Sequence, residues 1–83
     1  MKILYFAWLK EHTGQSSQDI QLPDGVNTVG ALIPYITRQS NGHKTALKNP
    51  AAVRVAVNRV YGDLTTTVRN NDEVAFFPPV TGG

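Results

Sequence analysis

The chain has 83 residues, a length that suits one small domain and leaves no room for a second hydrophobic core. Hydrophobic residues make up 41% and charged residues 17%, which is typical of a globular protein and excludes a disordered or collagen-like one. The net charge of +2 is too small to predict nucleic-acid binding, and the absence of cysteine excludes both a disulfide scaffold and a cysteine-ligated metal site.

The most apolar run of the sequence covers residues 3–9 and is much shorter than the roughly 20 residues that span a bilayer. Lys10 and Glu11 follow this run, where a secretory signal would have a small-residue cleavage site. We therefore expect a soluble cytoplasmic domain that has neither a membrane nor a nucleic acid as its partner.

The first predicted elements form a β-hairpin. Residues 2–8 are rich in β-branched and aromatic side chains and predict a strand that is apolar on both faces. Such a strand is either central and covered on both faces, or covered on one face with the other kept for a partner. Residues 9–13 predict a single helical turn or a loop that stops at Gly14. The alternating residues 19–22 predict the second strand, which ends at the Pro-Asp-Gly turn of residues 23–25.

One main helix is predicted over residues 28–40. Asn27 or Thr28 can cap it, and four apolar residues share one face at helical spacing: Val29, Leu32, Ile33 and Ile36. Because Pro34 removes a backbone hydrogen bond and collides with the preceding turn, we expect a kink or a distorted first half. The Asn-Gly dipeptide at residues 41–42 predicts a left-handed exit from the helix.

Strands return in the second half of the chain. Residues 43–50 are polar and predict a short second helix or a loop, and residues 52–58 predict a strand whose valines share one face. Residues 60–62 predict a further short strand. The Asn-Asn-Asp sequence of residues 70–72 predicts a turn, since asparagine tolerates left-handed backbone geometry. Residues 73–77 form the last predicted strand, which the two following prolines stop.

This order of elements (strand, strand, helix, strand, short strand, strand) resembles a β-grasp fold, an α+β architecture in which a mixed sheet wraps on one main helix. The first and last strands are expected to lie adjacent and parallel in the centre of the sheet, which explains why both are apolar. We expect the β-grasp domain to occupy residues 1–77 and an extended tail to occupy residues 78–83.

No group of side chains predicts catalysis by the chain alone. His12 and His43 are the only histidines, and both are interpreted as surface residues because a zinc site or a catalytic triad needs more converging groups. The carboxylates at turns and strand starts lack a visible partner for acid–base chemistry and are interpreted as solvated: Asp24, Asp63, Asp72 and Glu73. Three arginines offer a small basic patch for partner recognition: Arg54, Arg59 and Arg69.

The sequence of the C-terminal tail predicts that the tail delivers its terminal carboxylate through a narrow channel to an active site. At an average glycine frequency of about 7%, two terminal glycines occur by chance in roughly 0.5% of chains, so the pair alone is a weak signal. Pro78 and Pro79 hold the base of the tail extended, and Gly82 and Gly83 give the thinnest backbone for a narrow channel. The residues after Pro79 can reach about 13 Å at 3.3 Å each. A frayed terminus is the alternative.

Residues 72–83, with the sequence Asp-Glu-Val-Ala-Phe-Phe-Pro-Pro-Val-Thr-Gly-Gly, resemble the C-terminus of the MoaD-type sulfur carriers, the small subunits of molybdopterin synthase. Further segments match the same family, so that the resemblance covers nearly the whole chain: residues 4–7, 11–14, 28–32 and 55–58. Two positions depart from the family pattern. The family usually has glycine where this chain has Asn71, which can take the same left-handed turn, and Pro34 is unusual within the helix.

The resemblance implies a sulfur carrier in molybdenum cofactor biosynthesis. An E1-like activating enzyme would adenylate the carboxylate of Gly83 with ATP, and a persulfide donor would convert it into a thiocarboxylate. The tail would then enter the large subunit of molybdopterin synthase, within a heterotetramer, and donate sulfur for the dithiolene of molybdopterin. Gly82 would provide clearance, and the partner-binding residues would be Phe76, Phe77, Pro78, Pro79, Val80 and Thr81. Because the catalytic groups would belong to the partners, we expect neither a metal nor a stably bound cofactor.

Three other functions are compatible with the sequence. A carrier for another pathway, such as thiamine synthesis or tRNA thiolation, shares the terminal Gly-Gly but not usually the Phe-Pro-Pro-Val run. A ubiquitin-like modifier would be joined to target lysines by isopeptide bonds. A structural adaptor would function with a blocked terminus.

Overall fold

The computed structural model describes residues 1–79, which form a five-stranded sheet with helices packed on one face. The strands are Lys2–Tyr5 (β1), Ser17–Asp19 (β2), Arg54–Val57 (β3), Val60–Gly62 (β4) and Glu73–Phe77 (β5). The helices are Trp8–Thr13 (α1), Val29–Thr37 (α2) and Asn41–Leu47 (α3), and a 3₁₀ turn lies at Pro50–Ala52. Both segments that the sequence leaves open between helix and loop, at residues 9–13 and 43–50, therefore contain a short α-helix.

The strands lie in the order β2-β1-β5-β3-β4. β1 and β5 run parallel, with Lys2 opposite Glu73 and Tyr5 opposite Phe76, and the other neighbouring pairs are antiparallel. The prediction that the first and last strands lie adjacent and parallel in the centre of the sheet is confirmed. The β-grasp architecture is confirmed with it.

The hydrophobic core lies between the sheet and the three helices. Side chains alternate between the two faces of a strand, and the inward ones are buried in both central strands: Ile3 and Tyr5 in β1, and Val74 and Phe76 in β5. The helices contribute a second set of buried side chains: Leu9, Val29, Leu32, Ile33, Ile36, Ala46 and Leu47. The apolar stripe predicted for the main helix is thus confirmed, since all four of its residues are buried.

The prediction that one helix runs to residue 40 is wrong, because α2 ends at Thr37. Ser40 begins a new helix instead: its Oγ accepts a hydrogen bond of 3.1 Å from the backbone N–H of His43 and so caps α3. Thr28 caps α2 in the same way, as one of the two predicted caps. Pro34 lies inside α2 on its exposed side, and the backbone is α-helical on both sides of it.

The prediction of a left-handed exit at residues 41–42 is also wrong. Gly42 lies in the first turn of α3, next to α1. A Cβ at this position would come within 2.0 Å of the carbonyl oxygen of His12. Glycine is therefore required here because the backbones of two helices approach closely, and not because the chain reverses.

Strand ends differ from the sequence prediction in the first half of the chain. β1 ends at Tyr5 instead of residue 8, because Ala7 adopts a φ of 54° and turns the chain into α1. β2 covers Ser17–Asp19 instead of residues 19–22. β4 and β5 have the predicted bounds, and β3 lies within the predicted residues 52–58.

Candidate functional site

The face of the sheet away from the helices is an apolar surface, which we call the open face. Its central row crosses four strands, with Leu4, Ala75, Ala56 and Tyr61 opposite one another. The two alanines are small and lie between larger side chains, so they form the floor of a groove of about 620 Å³. Eight residues line this groove: Leu4, Phe6, Ala56, Arg59, Glu73, Ala75, Phe77 and Pro78.

The structure separates the two phenylalanines that the sequence proposes for partner binding. Phe76 is only 1% exposed, and its ring stacks on that of Tyr5 with centroids 6.4 Å apart. Phe77 points to the open face, where its ring lies 5.8 Å from that of Tyr61. Phe6 lies on the same face and is 48% exposed. Phe76 therefore belongs to the core, and Phe77 belongs to the surface that a partner can reach.

The tail begins at the groove. Pro78 lines the groove and Pro79 follows it, and both are half-buried. Proline lacks the N–H that a further ladder hydrogen bond would need, so β5 ends at these residues. Because β5 lies between β1 and β3, the chain leaves the sheet from its middle. The remaining predicted site residues lie outside the described residues: Val80, Thr81, Gly82 and Gly83.

The turn between β3 and β4 borders the groove on its other side. Asn58 has a φ of 51° and Arg59 a φ of 69°, the left-handed pair of a two-residue type I′ hairpin. The Asn58 side chain donates to Asp72 Oδ1 at 2.9 Å and accepts from the backbone N–H of Glu73 at 3.0 Å. The predicted turn at residues 70–72 exists, but its asparagines are not left-handed.

His43 is buried at 5% exposure, so the prediction of a surface histidine is wrong at this position. Its Nδ1 lies 2.7 Å from the Oγ of Ser40, and its Nε2 lies 3.3 Å from the side chains of both Gln15 and Gln18. Tyr5 donates its hydroxyl to Gln18 and places its ring edge-on to the imidazole. Burial lowers the pKa of the imidazole. His43 is thus a hydrogen-bonded core residue remote from the groove.

The acidic residues do not assemble into a reaction site. The carboxylate of Asp63 accepts hydrogen bonds from the hydroxyl and the backbone N–H of Thr65, which lower its pKa, in the exposed turn that the sequence predicts. Within residues 1–79, no three His, Asp or Glu side chains are grouped so that they could hold a metal ion. Over the same residues, no helix is both long and apolar enough to span a membrane.

Comparison with known proteins identifies the family. The sequence profile of the ThiS family matches residues 3–83. The chain belongs to the ThiS family. Among curated relatives, the molybdopterin synthase sulfur carrier subunit of Haemophilus influenzae is 36% identical over 83 residues, which cover 100% of this chain and 99% of that protein.

Solved structures have the same fold as this ThiS-family chain. A Pyrococcus furiosus protein assigned as molybdopterin converting factor, subunit 1, is 31% identical with a TM-score of 0.77, over 95% of each chain. Small archaeal modifier protein 1 of Haloferax volcanii is 27% identical with a TM-score of 0.75, over 96% of this chain and 97% of that one. A chain in the complex of subunits 1 and 2 of the Helicobacter pylori molybdopterin-converting factor is 22% identical with a TM-score of 0.65, over 99% of this chain and 96% of that one. At this identity the likeness shows the fold alone.

Proposed function

We propose that this ThiS-family chain is the sulfur carrier subunit of a molybdopterin synthase. The observation that carries the proposal is the identity of 36% to a sulfur carrier of that enzyme over the full length of both chains. The geometry of the tail base supports it, because the Pro78-Pro79 segment leaves the centre of the sheet beside an apolar groove. A terminus that starts there can enter a partner that sits on the open face.

The chemistry resides in the terminal carboxylate of Gly83. A free carboxylate is a poor electrophile, so an E1-like partner activates it by attack on the α-phosphate of ATP, which releases pyrophosphate and leaves an acyl adenylate. The terminal sulfur of a persulfide then displaces AMP, and a thiol acts as the two-electron reductant that cleaves the resulting acyl disulfide to the thiocarboxylate. The large subunit receives this sulfur for the dithiolene of molybdopterin. Gly82 keeps the approach to the reacting carbon free of a side chain.

The open face is the docking surface for these partners. Phe6, Phe77 and Pro78 supply exposed apolar area around the groove, and aromatic anchors of this kind carry much of the energy of protein–protein binding. Both the activating enzyme and the large subunit need the tail, so both must approach from the side where it leaves the sheet. They therefore bind in turn and not together.

The direct test of the carrier is deletion of Gly83. We expect the shortened chain to fold normally, because the residue lies beyond the last strand, and to form no thiocarboxylate and no molybdopterin. The measurement is mass spectrometry after incubation with the activating enzyme, ATP and a persulfide donor, with the gained sulfur localised by fragmentation, since oxidation of Met1 adds almost the same mass.

The matched control is a C-terminal extension that a protease removes directly after Gly83. The extended chain should be inactive, and cleavage that restores the free carboxylate should restore sulfur transfer. A shortened chain that still supports molybdopterin formation contradicts the carrier function and favours an adaptor.

A second candidate function is covalent protein modification. It is favoured by the likeness to small archaeal modifier protein 1, which is 27% identical over nearly the whole chain. In that case the activated Gly83 would form isopeptide bonds with lysines of other proteins. Denaturing gels of cell extracts, probed for the chain, distinguish the two: a modifier gives ladders of larger species that vanish on deletion of Gly83, whereas a sulfur carrier runs as a single small band.

A further inference from the structure

Arg59 occupies a backbone conformation that does not suit it. The two-residue turn between β3 and β4 needs positive φ at both positions, and the preferred sequence for such a turn is Asn-Gly. Here arginine stands in the glycine position, with a φ of 69°. A side chain in this region is strained, and such strain is concentrated at functional sites.

The neighbouring Asn58 has a structural reason to be there, and Arg59 does not share it. Asn58 ties the turn to the start of β5 through its hydrogen bonds to Asp72 and to the backbone of Glu73. Asparagine also tolerates positive φ better than other residues with a side chain. Arg59, in contrast, is exposed and lines the groove of the open face. Its side chain thus lies where a docked partner would meet it.

We propose that Arg59 is a recognition residue that binds a carboxylate on the surface of the molybdopterin synthase large subunit where that subunit docks on the open face. The inference rests on the proposed function of that face. The arginine side chain is always charged and forms paired hydrogen bonds with a carboxylate, so it fits an acidic side chain of a protein partner. The occupant is a protein and not a nucleic acid, because the rest of the groove is mainly apolar: Leu4, Phe6, Ala56, Ala75, Phe77 and Pro78.

A second arginine lies beside the apolar area, at the other end of the open face. Arg54 is exposed and lies opposite Phe77 across the ladder, close to the start of the tail. The two arginines therefore lie at opposite ends of β3 on the open face, and the partner surface that complements them is apolar in the middle and acidic at these two ends. Charges at the rim of an interface mainly steer association and fix orientation.

The test compares Arg59→Gly with Ala7→Gly, using the full chain and the molybdopterin synthase large subunit of the same genome. Both substitutions relieve a positive φ, so both should raise the urea midpoint of unfolding. Only Arg59→Gly should slow association with the large subunit. We expect the association rate to fall by about tenfold at an ionic strength of roughly 0.02 M, and the difference from the wild type to be largely lost at roughly 0.5 M. Arg59→Lys should keep the association rate and dissociate faster, because it keeps the charge but loses the paired geometry.

Two results would overturn the proposal. If Arg59→Gly is more stable and binds as fast as the wild type at both ionic strengths, the arginine recognises nothing on the partner. The second result is that Glu73→Gln lowers the urea midpoint and also slows association with the large subunit, by the factor that is seen for Arg59→Gly. In that case the arginine binds the carboxylate of Glu73 in its own chain instead of one on the partner. Phe77→Asp separates these failures from that of the proposed function. It should weaken binding of the large subunit by at least about 30-fold even where the arginine is dispensable, and an unaltered affinity removes the open face itself as the docking surface.

Discussion

The two faces of the central strands are built from the same kinds of residue but serve different purposes. Phe76 and Phe77 are consecutive in β5, yet the first is 1% exposed and stacked on Tyr5, whereas the second lies in an open groove. Alternation along a strand sends them to opposite sides, and only one side is covered by helices. An aromatic side chain on the covered side stabilises the fold, and one on the open side remains available for a partner. The following predictions separate these two roles, beginning with the largest effect.

Phe76→Ala should lower the free energy of unfolding by about 3–5 kcal/mol, because it leaves a cavity in the core next to Tyr5. This is a large part of the 5–15 kcal/mol that holds a typical domain together. Urea unfolding followed by circular dichroism measures the loss. Phe77→Ala is the matched control, one residue away in the same strand, and a comparable loss there would contradict the division of roles between the two faces.

Phe77→Asp should weaken binding of the large subunit by at least about 30-fold while the urea midpoint stays nearly unchanged. The substitution places a charge in the apolar groove, and removal of a hot-spot aromatic residue typically costs 2 kcal/mol or more of binding free energy. Calorimetric titration of the purified large subunit measures the affinity. Unaltered affinity of a folded variant would take this side chain out of the interface.

The smallest expected effect is a dependence of stability on pH that comes from His43 on the covered face. Burial lowers the pKa of His43 below its ordinary 6.5, so the unfolded chain takes up the proton first as the pH falls. The contribution of the neutral imidazole to stability is therefore complete above about pH 7, and it declines as the pH falls through about 6.5. The urea midpoint should decrease as the pH is lowered from about 7 to about 5, and His43→Gln should make the midpoint depend less on pH.

His12→Gln is the control, since it makes the same chemical change at an exposed position of α1. We expect the urea midpoint of His12→Gln to decrease at low pH as that of the wild type does, because His43 is still present. A slope that is unchanged by His43→Gln would mean that other groups set the acid sensitivity of the fold. Affinity for the large subunit should not follow this titration, because His43 lies on the helix side of the sheet.

Much of the molecule follows from local sequence patterns. The Val29-to-Ile36 stripe predicts the main helix because its spacing matches the helical period. The last strand follows from the apolar residues 73–77 that two prolines end. The docking hypothesis follows from β1 and β5, which are apolar on both faces although only one face of a sheet is covered by the helices. The hypothesis of carrier chemistry at Gly83 follows from the residues after the last strand and from the resemblance that they carry.

Other features depend on contacts between distant segments, and only the tertiary structure decides them. Gly42 reads as a helix exit in the sequence, but the nearby carbonyl of His12 makes it a helix–helix contact. His43 is flanked by polar residues in the sequence, but its own helix turns it towards Tyr5 and two glutamines. The alternation in β5 places Phe76 and Phe77 on opposite faces, and the sequence does not say which face the helices cover. Local patterns predict where most helices and strands lie, because these depend on neighbours along the chain, whereas burial, close approach and the choice of the exposed face depend on residues that only folding brings together.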